Sequence, residues 1–130
     1  MQKPSKALVE KKRPVIAYSE LWHASGCVLE AGLSEARGST WQFLSSALLT
    51  AFSFEAYLNL VGPQAFSCWE NLERLPPLAK FDLLCETLKM DFPDGKGKRP
   101  LQTIIVLFDF RNTIAHAKTQ TIELGPTKRD

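Results

Sequence analysis

Arg111-Asn112-Thr113-Ile114-Ala115-His116 is the stretch of this chain best equipped for chemistry. An arginine and a histidine lie five positions apart at the end of an apolar run, residues 101–110. A guanidinium holds a phosphate through its fork of donors, and an imidazole exchanges a proton near neutral pH. Together they can act on a phosphoryl group without a metal. No other part of the sequence offers comparable chemistry.

The element that must position them reads as a helix over residues 100–118. On a wheel of roughly 100° per residue, Leu101, Ile104, Ile105 and Phe108 cover one side, and Val106, Leu107, Phe110 and Ile114 the other. A helix apolar all round is either central in a core or shared with a partner subunit. In a domain this small, the pattern predicts a homodimer whose interface includes the last helix. Asn112 and His116 are one i,i+4 step apart and share a face, so the amide is placed to orient the imidazole. Arg111 projects about 100° to 140° away, with the reach to meet a phosphate across the helix end. The dipole of the C-terminal turn favours a cation there. The plain alternative is a structural helix end, with Arg111 capping carbonyls and Asn112 closing a hydrogen-bond network. Polar groups set in so apolar a run need a reason, which weighs against it.

A second polar pair sits upstream. Glu55 and Asn59 lie one turn apart among Phe52, Ala56, Leu58 and Leu60. An unpaired carboxylate there would be costly, so a cation or a donor is expected beside it, Arg111 or a main-chain amide being the candidates. The pair is either a structural network or the support that positions Arg111 and His116. Gln42, Ser45, Ser46, Thr50 and Ser53 form another stripe, suited to close helix approach or to solvent.

Four further helices are expected. Residues 14–37 carry Val15, Tyr18, Leu21, Trp22, Val28, Leu29 and Leu33 at helical spacing, behind a favourable first-turn Pro14. The next three are residues 41–61, stopped by Gly62-Pro63; 64–75, stopped by Pro76-Pro77; and 78–90. Residues 91–100 read as a flexible basic loop with Lys96, Lys98 and Arg99. Residues 1–13 form a basic tail, 14–118 one helical domain, and 119–130 a polar tail or linker. Strand patterning is poor and helical signals are good, so the fold class is all-α.

Composition sets the outer bounds. At 130 residues and 45% hydrophobic, the chain suits one domain with a modest core. A net charge of +2 is too weak for a protein that coats nucleic acid. Cys27, Cys68 and Cys85 are too widely spaced for a zinc motif and read as reduced thiols of a cytoplasmic protein. His23 reads as a surface residue. Neither a signal peptide nor a spanning helix is expected, hence no membrane association.

Three segments in this order resemble the HEPN superfamily. Arg111-Asn112-x-x-x-His116 resembles its hallmark, an Arg often followed by Asn, then His after four to six residues. Phe54-Glu55-Ala56-Tyr57-Leu58-Asn59 resembles the helix with Glu and Asn that many members carry, and Leu78-Ala79-Lys80-Phe81 the short Lys-containing helix between the two. The likeness spans residues 41–118. It implies a HEPN-like up-and-down bundle of four to five helices, a dimer with the two motifs facing each other, and a metal-independent endoribonuclease of the toxin–antitoxin or defence type. His116 would then be the general acid/base, Arg111 the stabiliser of phosphate charge, and Asn112 the group orienting either. The product would be a 2′,3′-cyclic phosphate, with no cofactor. RNA contact would fall to Lys96, Lys98, Arg99 and Lys118. An antitoxin or nucleotidyltransferase partner is implied for some members. In one branch that partner modifies a Tyr two residues after the His; here the position is Lys118, which does not support that regulation. A catalytically silent HEPN-like dimerisation or binding module is the other reading.

Overall fold

The computed structural model describes residues 9–123 and Gly125. Five helices follow in order: α1 (Ala17–Ser34), α2 (Ser39–Ala65), α3 (Trp69–Leu72), α4 (Pro77–Thr87) and α5 (Leu101–Ala115). Among the described residues there is no strand, so the all-α expectation holds. Lys3 and Lys6 of the expected basic tail lie outside the described residues, as do Leu124 and residues 126–130 of the C-terminal tail.

α1 and α2 form an antiparallel hairpin. The chain turns between them at Gly38, whose φ of 76° is left-handed and suits a residue without Cβ. Their contact is built from small hydroxyl residues rather than large apolar ones. Ser46 Oγ donates to the Ser25 carbonyl at 2.9 Å, and Ser53 Oγ to the Tyr18 carbonyl at 2.8 Å. Thr50 Oγ1 donates to the Ser46 carbonyl at 2.8 Å, which leaves it free to accept from Ser25 Oγ at 2.6 Å. With that proton assignment every hydroxyl in the seam is satisfied although Ser25, Ser46 and Ser53 are buried. Of the polar stripe read in α2, this half is used for close approach; Ser45 faces solvent and donates to its own helix, to the Trp41 carbonyl.

The second half of the molecule is aromatic. Leu58, Trp69 and Leu84 are its buried centre, with Phe54, Val61, Phe66, Leu72 and Phe81 packed around them. Phe54 sits edge-on to Phe81 at 5.4 Å and tilted to Phe108 at 5.7 Å, tying α2 to α4 and to α5. α5 runs antiparallel to α2: Phe108 meets Phe54, and one turn later Arg111 meets Phe52.

Several boundaries differ from the sequence reading. α1 begins at Ala17, past Pro14, which lies in the extended lead-in. α2 does not stop at Gly62-Pro63 but continues to Ala65. The reason is tertiary: the Trp69 indole lies flat on the helix at Gly62, where any Cβ would overlap the ring. That packing outweighs the hydrogen bond Pro63 cannot donate. The helix expected over 64–75 shrinks to four residues, because the chain must double back to deliver Trp69. Of the two alternatives its wheel left open, α5 is not the central core helix. Phe108 is its one buried residue, at 1% exposure, while Val106 is 61% exposed. α2 and α4 pack against it, while α1 only borders the cavity that lies between α1, α2 and α5. By length and composition alone α2 is apolar enough to cross a membrane, where the sequence reading expected no such helix; 22% of its apolar window is buried.

Two glycines test this packing. Gly62→Ala is expected to lower stability by about 1–3 kcal/mol through overpacking. Gly32→Ala would meet the Phe43 ring edge at 2.8 Å, but that ring is partly exposed and free to swing aside. The gain in helix propensity offsets the displacement, so a change within about 1 kcal/mol is expected. Urea midpoints of the two variants check the contrast. Equal stability of Gly62→Ala and wild type would mean Trp69 is not seated on α2.

Candidate functional site

The two polar clusters singled out in the sequence are both present, but they are separate. The Glu55/Asn59 pair does find a cation, and it is Lys80 rather than Arg111. Lys80, on α4, is 1% exposed. Its Nζ donates to Asn59 Oδ1 at 3.0 Å, to the Glu73 carbonyl at 3.2 Å and to Glu55 Oε1 at 3.4 Å. Three donors meet three acceptors, so the buried ammonium is fully coordinated. The Glu55 side chain is 28% exposed and keeps access to water. Glu55 and Asn59 therefore hold α4 against α2; they do not touch Arg111 or His116.

Arg111, Asn112 and His116 sit at the far end of α5. Arg111 lies with its guanidinium carbon 5.8 Å from the Phe52 ring centroid, a cation–π contact that fixes its direction. One Nη1 proton goes to Asn112 Oδ1 at 3.0 Å. Arg111 Nε is buried without an acceptor. No carboxylate lies within 4 Å of the group among the described residues. Asn112 thus serves Arg111, and the expected orientation of His116 by Asn112 is absent. His116 is the C-cap residue of α5, exposed, with its backbone N–H on the Asn112 carbonyl at 3.0 Å. No side chain of the described residues holds its imidazole.

The basic residues expected to bind RNA are not gathered here. Lys96, Lys98 and Arg99 precede α5, whereas the trio ends it; fifteen residues of helix put the two about 22 Å apart. Lys96 pairs with Asp82 at 3.8 Å across an exposed gap. Lys118 alone stays beside His116, two residues on.

The cavities lie elsewhere too. One of about 490 Å³ lies between the lead-in to α1 and α2, lined by Pro14, Ile16, Tyr18, Ala56, Asn59 and Leu60 among others. One of about 400 Å³ opens between α1, α2 and α5, lined by Tyr18, Trp22, Tyr57, Ile104 and Leu107 among others. A smaller one of about 220 Å³ lies between α4 and α5, with Lys96 and Asp82 at its rim. Near it, burial raises the Cys85 thiol above its ordinary range, with the Asp82 charge adding to the effect; the thiol stays protonated and unreactive. Among the described residues no three His, Cys, Asp or Glu side chains converge on a common point.

No family model, no curated protein and no solved structure matches this chain.

Sequence reasoning missed Lys80 as the partner of Glu55, although it noted the short Lys-containing segment. The available signal was a lysine among Leu78, Phe81, Leu83 and Leu84, a position too apolar for a free ammonium.

The Lys80 cluster carries an asymmetric prediction. Glu55→Gln leaves a fully buried ammonium without its counter-charge and should cost about 3 kcal/mol. Lys80→Met keeps the aliphatic stem and leaves a carboxylate that water still reaches, so the cost should be smaller, about 1–2 kcal/mol. Chemical denaturation of both variants measures the order. The reverse order would show that the ammonium does not depend on Glu55.

Proposed function

We propose that this chain is a HEPN-like, metal-independent endoribonuclease that acts as a homodimer through α5. The observation that carries the reading is Arg111: a guanidinium fixed over Phe52, with donors to spare and no carboxylate beside it, at the same helix end as an exposed His116. A cation held in place without a counter-ion is a site prepared for an anion from outside.

In that chemistry His116 takes the proton from an RNA 2′-hydroxyl, whose oxygen attacks the adjacent phosphorus. The P–O5′ bond breaks, the leaving 5′-oxygen receives a proton, and a 2′,3′-cyclic phosphate remains. Arg111 offsets the charge that grows on the phosphoryl oxygens. A second His116 from the partner subunit would let one act as base and the other as acid. Asn112 contributes by holding Arg111 and not the imidazole. A cytoplasmic setting and an antitoxin or nucleotidyltransferase partner belong to the same reading.

A second reading has its own support. The trio lines none of the three cavities described above, and no side chain of the described residues orients His116. Both facts favour a catalytically silent HEPN-like dimerisation module.

Cleavage of mixed RNA in EDTA separates the two. The enzyme reading expects cyclic-phosphate ends from the wild type. His116→Ala should slow cleavage about 10²–10⁴-fold, and Arg111→Ala about 10²–10³-fold. No cleavage by a dimeric wild type would leave the binding module. The interface is tested by Val106→Glu, which puts a charge on the exposed face of α5. Sedimentation should show a monomer; a persistent dimer would place the interface on another face.

A further inference from the structure

The cavity of about 400 Å³ between α1, α2 and α5 has a lining that selects its occupant. Tyr18 and Trp22 of α1, Phe54 and Tyr57 of α2, and Ile104 and Leu107 of α5 supply rings and branched chains, and no charged side chain lines it. The two hydroxyls that α2 brings to it already donate elsewhere: Ser53 Oγ to the Tyr18 carbonyl and Thr50 Oγ1 to the Ser46 carbonyl. A nucleobase or a sugar placed there would leave much of its polar edge unpaired, which is costly. An aliphatic chain carries no such penalty. A largely apolar cleft of this size is the usual form of a small-molecule site.

The mouth adds a charge. Thr103, exposed on α5, borders both this cavity and a groove of about 260 Å³ lined also by Arg99, Gln102 and Val106. Arg99 is exposed, and no carboxylate lies within 4 Å of it among the described residues. Asp94 shares a small crevice with Arg99 without pairing to it. An apolar chamber thus opens beside an unneutralised guanidinium, with Thr103 between them. We propose that this cavity binds a monocarboxylate with an unbranched aliphatic tail, the tail lying between α1, α2 and α5 and the carboxylate meeting Arg99 across Thr103.

The two ends of such a ligand match the two kinds of surface. The fork of Arg99 takes a carboxylate through parallel hydrogen bonds, and the tail removes apolar wall from water. α1 and α5 each pack on α2 and scarcely on each other, so a tail entering between them displaces little existing contact. Trp22, more than half exposed, gains a covering. Arg99 precedes α5 whereas Arg111 and His116 end it, so the site stands whether or not the chain cleaves RNA.

Titration of the full chain with 10-bromodecanoate below its micelle concentration tests the assignment, because bromine quenches an indole that it touches. Saturable quenching at one ligand per chain is expected in wild type. Trp22→Phe should bind with similar affinity by calorimetry yet lose most of the quenching, since Trp41 and Trp69 line no part of the cavity. Arg99→Gln should weaken binding about tenfold through loss of a charge-assisted hydrogen bond. Thr103→Glu, which sets an anion at the mouth, should abolish it. Both positions are exposed, so these two variants should keep the wild-type circular dichroism. Octanoate should bind roughly fifteenfold more weakly than decanoate, each buried methylene being worth a factor of about four. No saturable binding, equal affinity of Arg99→Gln and wild type, undiminished quenching in Trp22→Phe, or equal affinity of octanoate and decanoate overturns the proposal. So does decanol bound as tightly as decanoate, which removes the carboxylate contact, or displacement of the probe by adenosine monophosphate, which gives the cavity to a base.

Discussion

The architecture turns on one buried positive charge. Burying an ammonium is among the most expensive acts available to a protein, and it is tolerated only where acceptors surround the group. Lys80 meets two side chains of α2 and the carbonyl that closes the loop before α4. Those three contacts set where α4 lies along α2. Phe81, the next residue, then meets Phe54, which in turn receives Phe108 of α5. The placement of Arg111, one turn beyond Phe108, is thus inherited from a lysine that never approaches it.

Two kinds of contact join the helices, with different consequences. The α1–α2 seam uses hydroxyls and glycine, which brings backbones close but buries few large side chains. The α2–α4–α5 region uses rings, which bury area efficiently but cover only one side of each helix. Trp22, Leu33, Trp41 and Val106 are left more than half exposed. On α5 that exposure follows from its composition. The wheel of α5 signalled it: the helix carries more apolar residues than α2 and α4 can cover.

What could be read in advance followed from local rules. Helix content, the hydroxyl stripe of α2 and the need of Glu55 for a cation all follow from spacing and the cost of burial. What escaped depended on residues distant in sequence. Gly62-Pro63 reads as a stop until Trp69 is known to lie on it. Glu55 calls for a cation without saying which, and Lys80 is 25 positions away. Asn112 stands one turn from His116 and next to Arg111; spacing alone could not tell that the arginine would fold over Phe52 and claim the amide. Composition alone assigns the basic loop to RNA, and α5 separates it from the trio by the length of the helix.

The same geometry bears on what the Arg111 end can do. Charge stabilisation becomes catalytically large when water is excluded and donors are fixed before the reaction begins. Arg111 meets the second condition through Phe52 and Asn112. His116 meets neither, since it caps a helix in open solvent with no side chain to hold it. One protomer therefore supplies a fixed guanidinium and an unoriented imidazole, which do not by themselves meet both conditions. On the proposed reading, the second condition for His116 has to come from a surface that covers the helix end, excludes water and gives the imidazole a fixed neighbour. The proposed second copy packed through α5 would be that surface if it set its own Arg111 and His116 against the uncovered pair. Catalysis by this chain, if it occurs, is then a property of the pair and not of the fold alone.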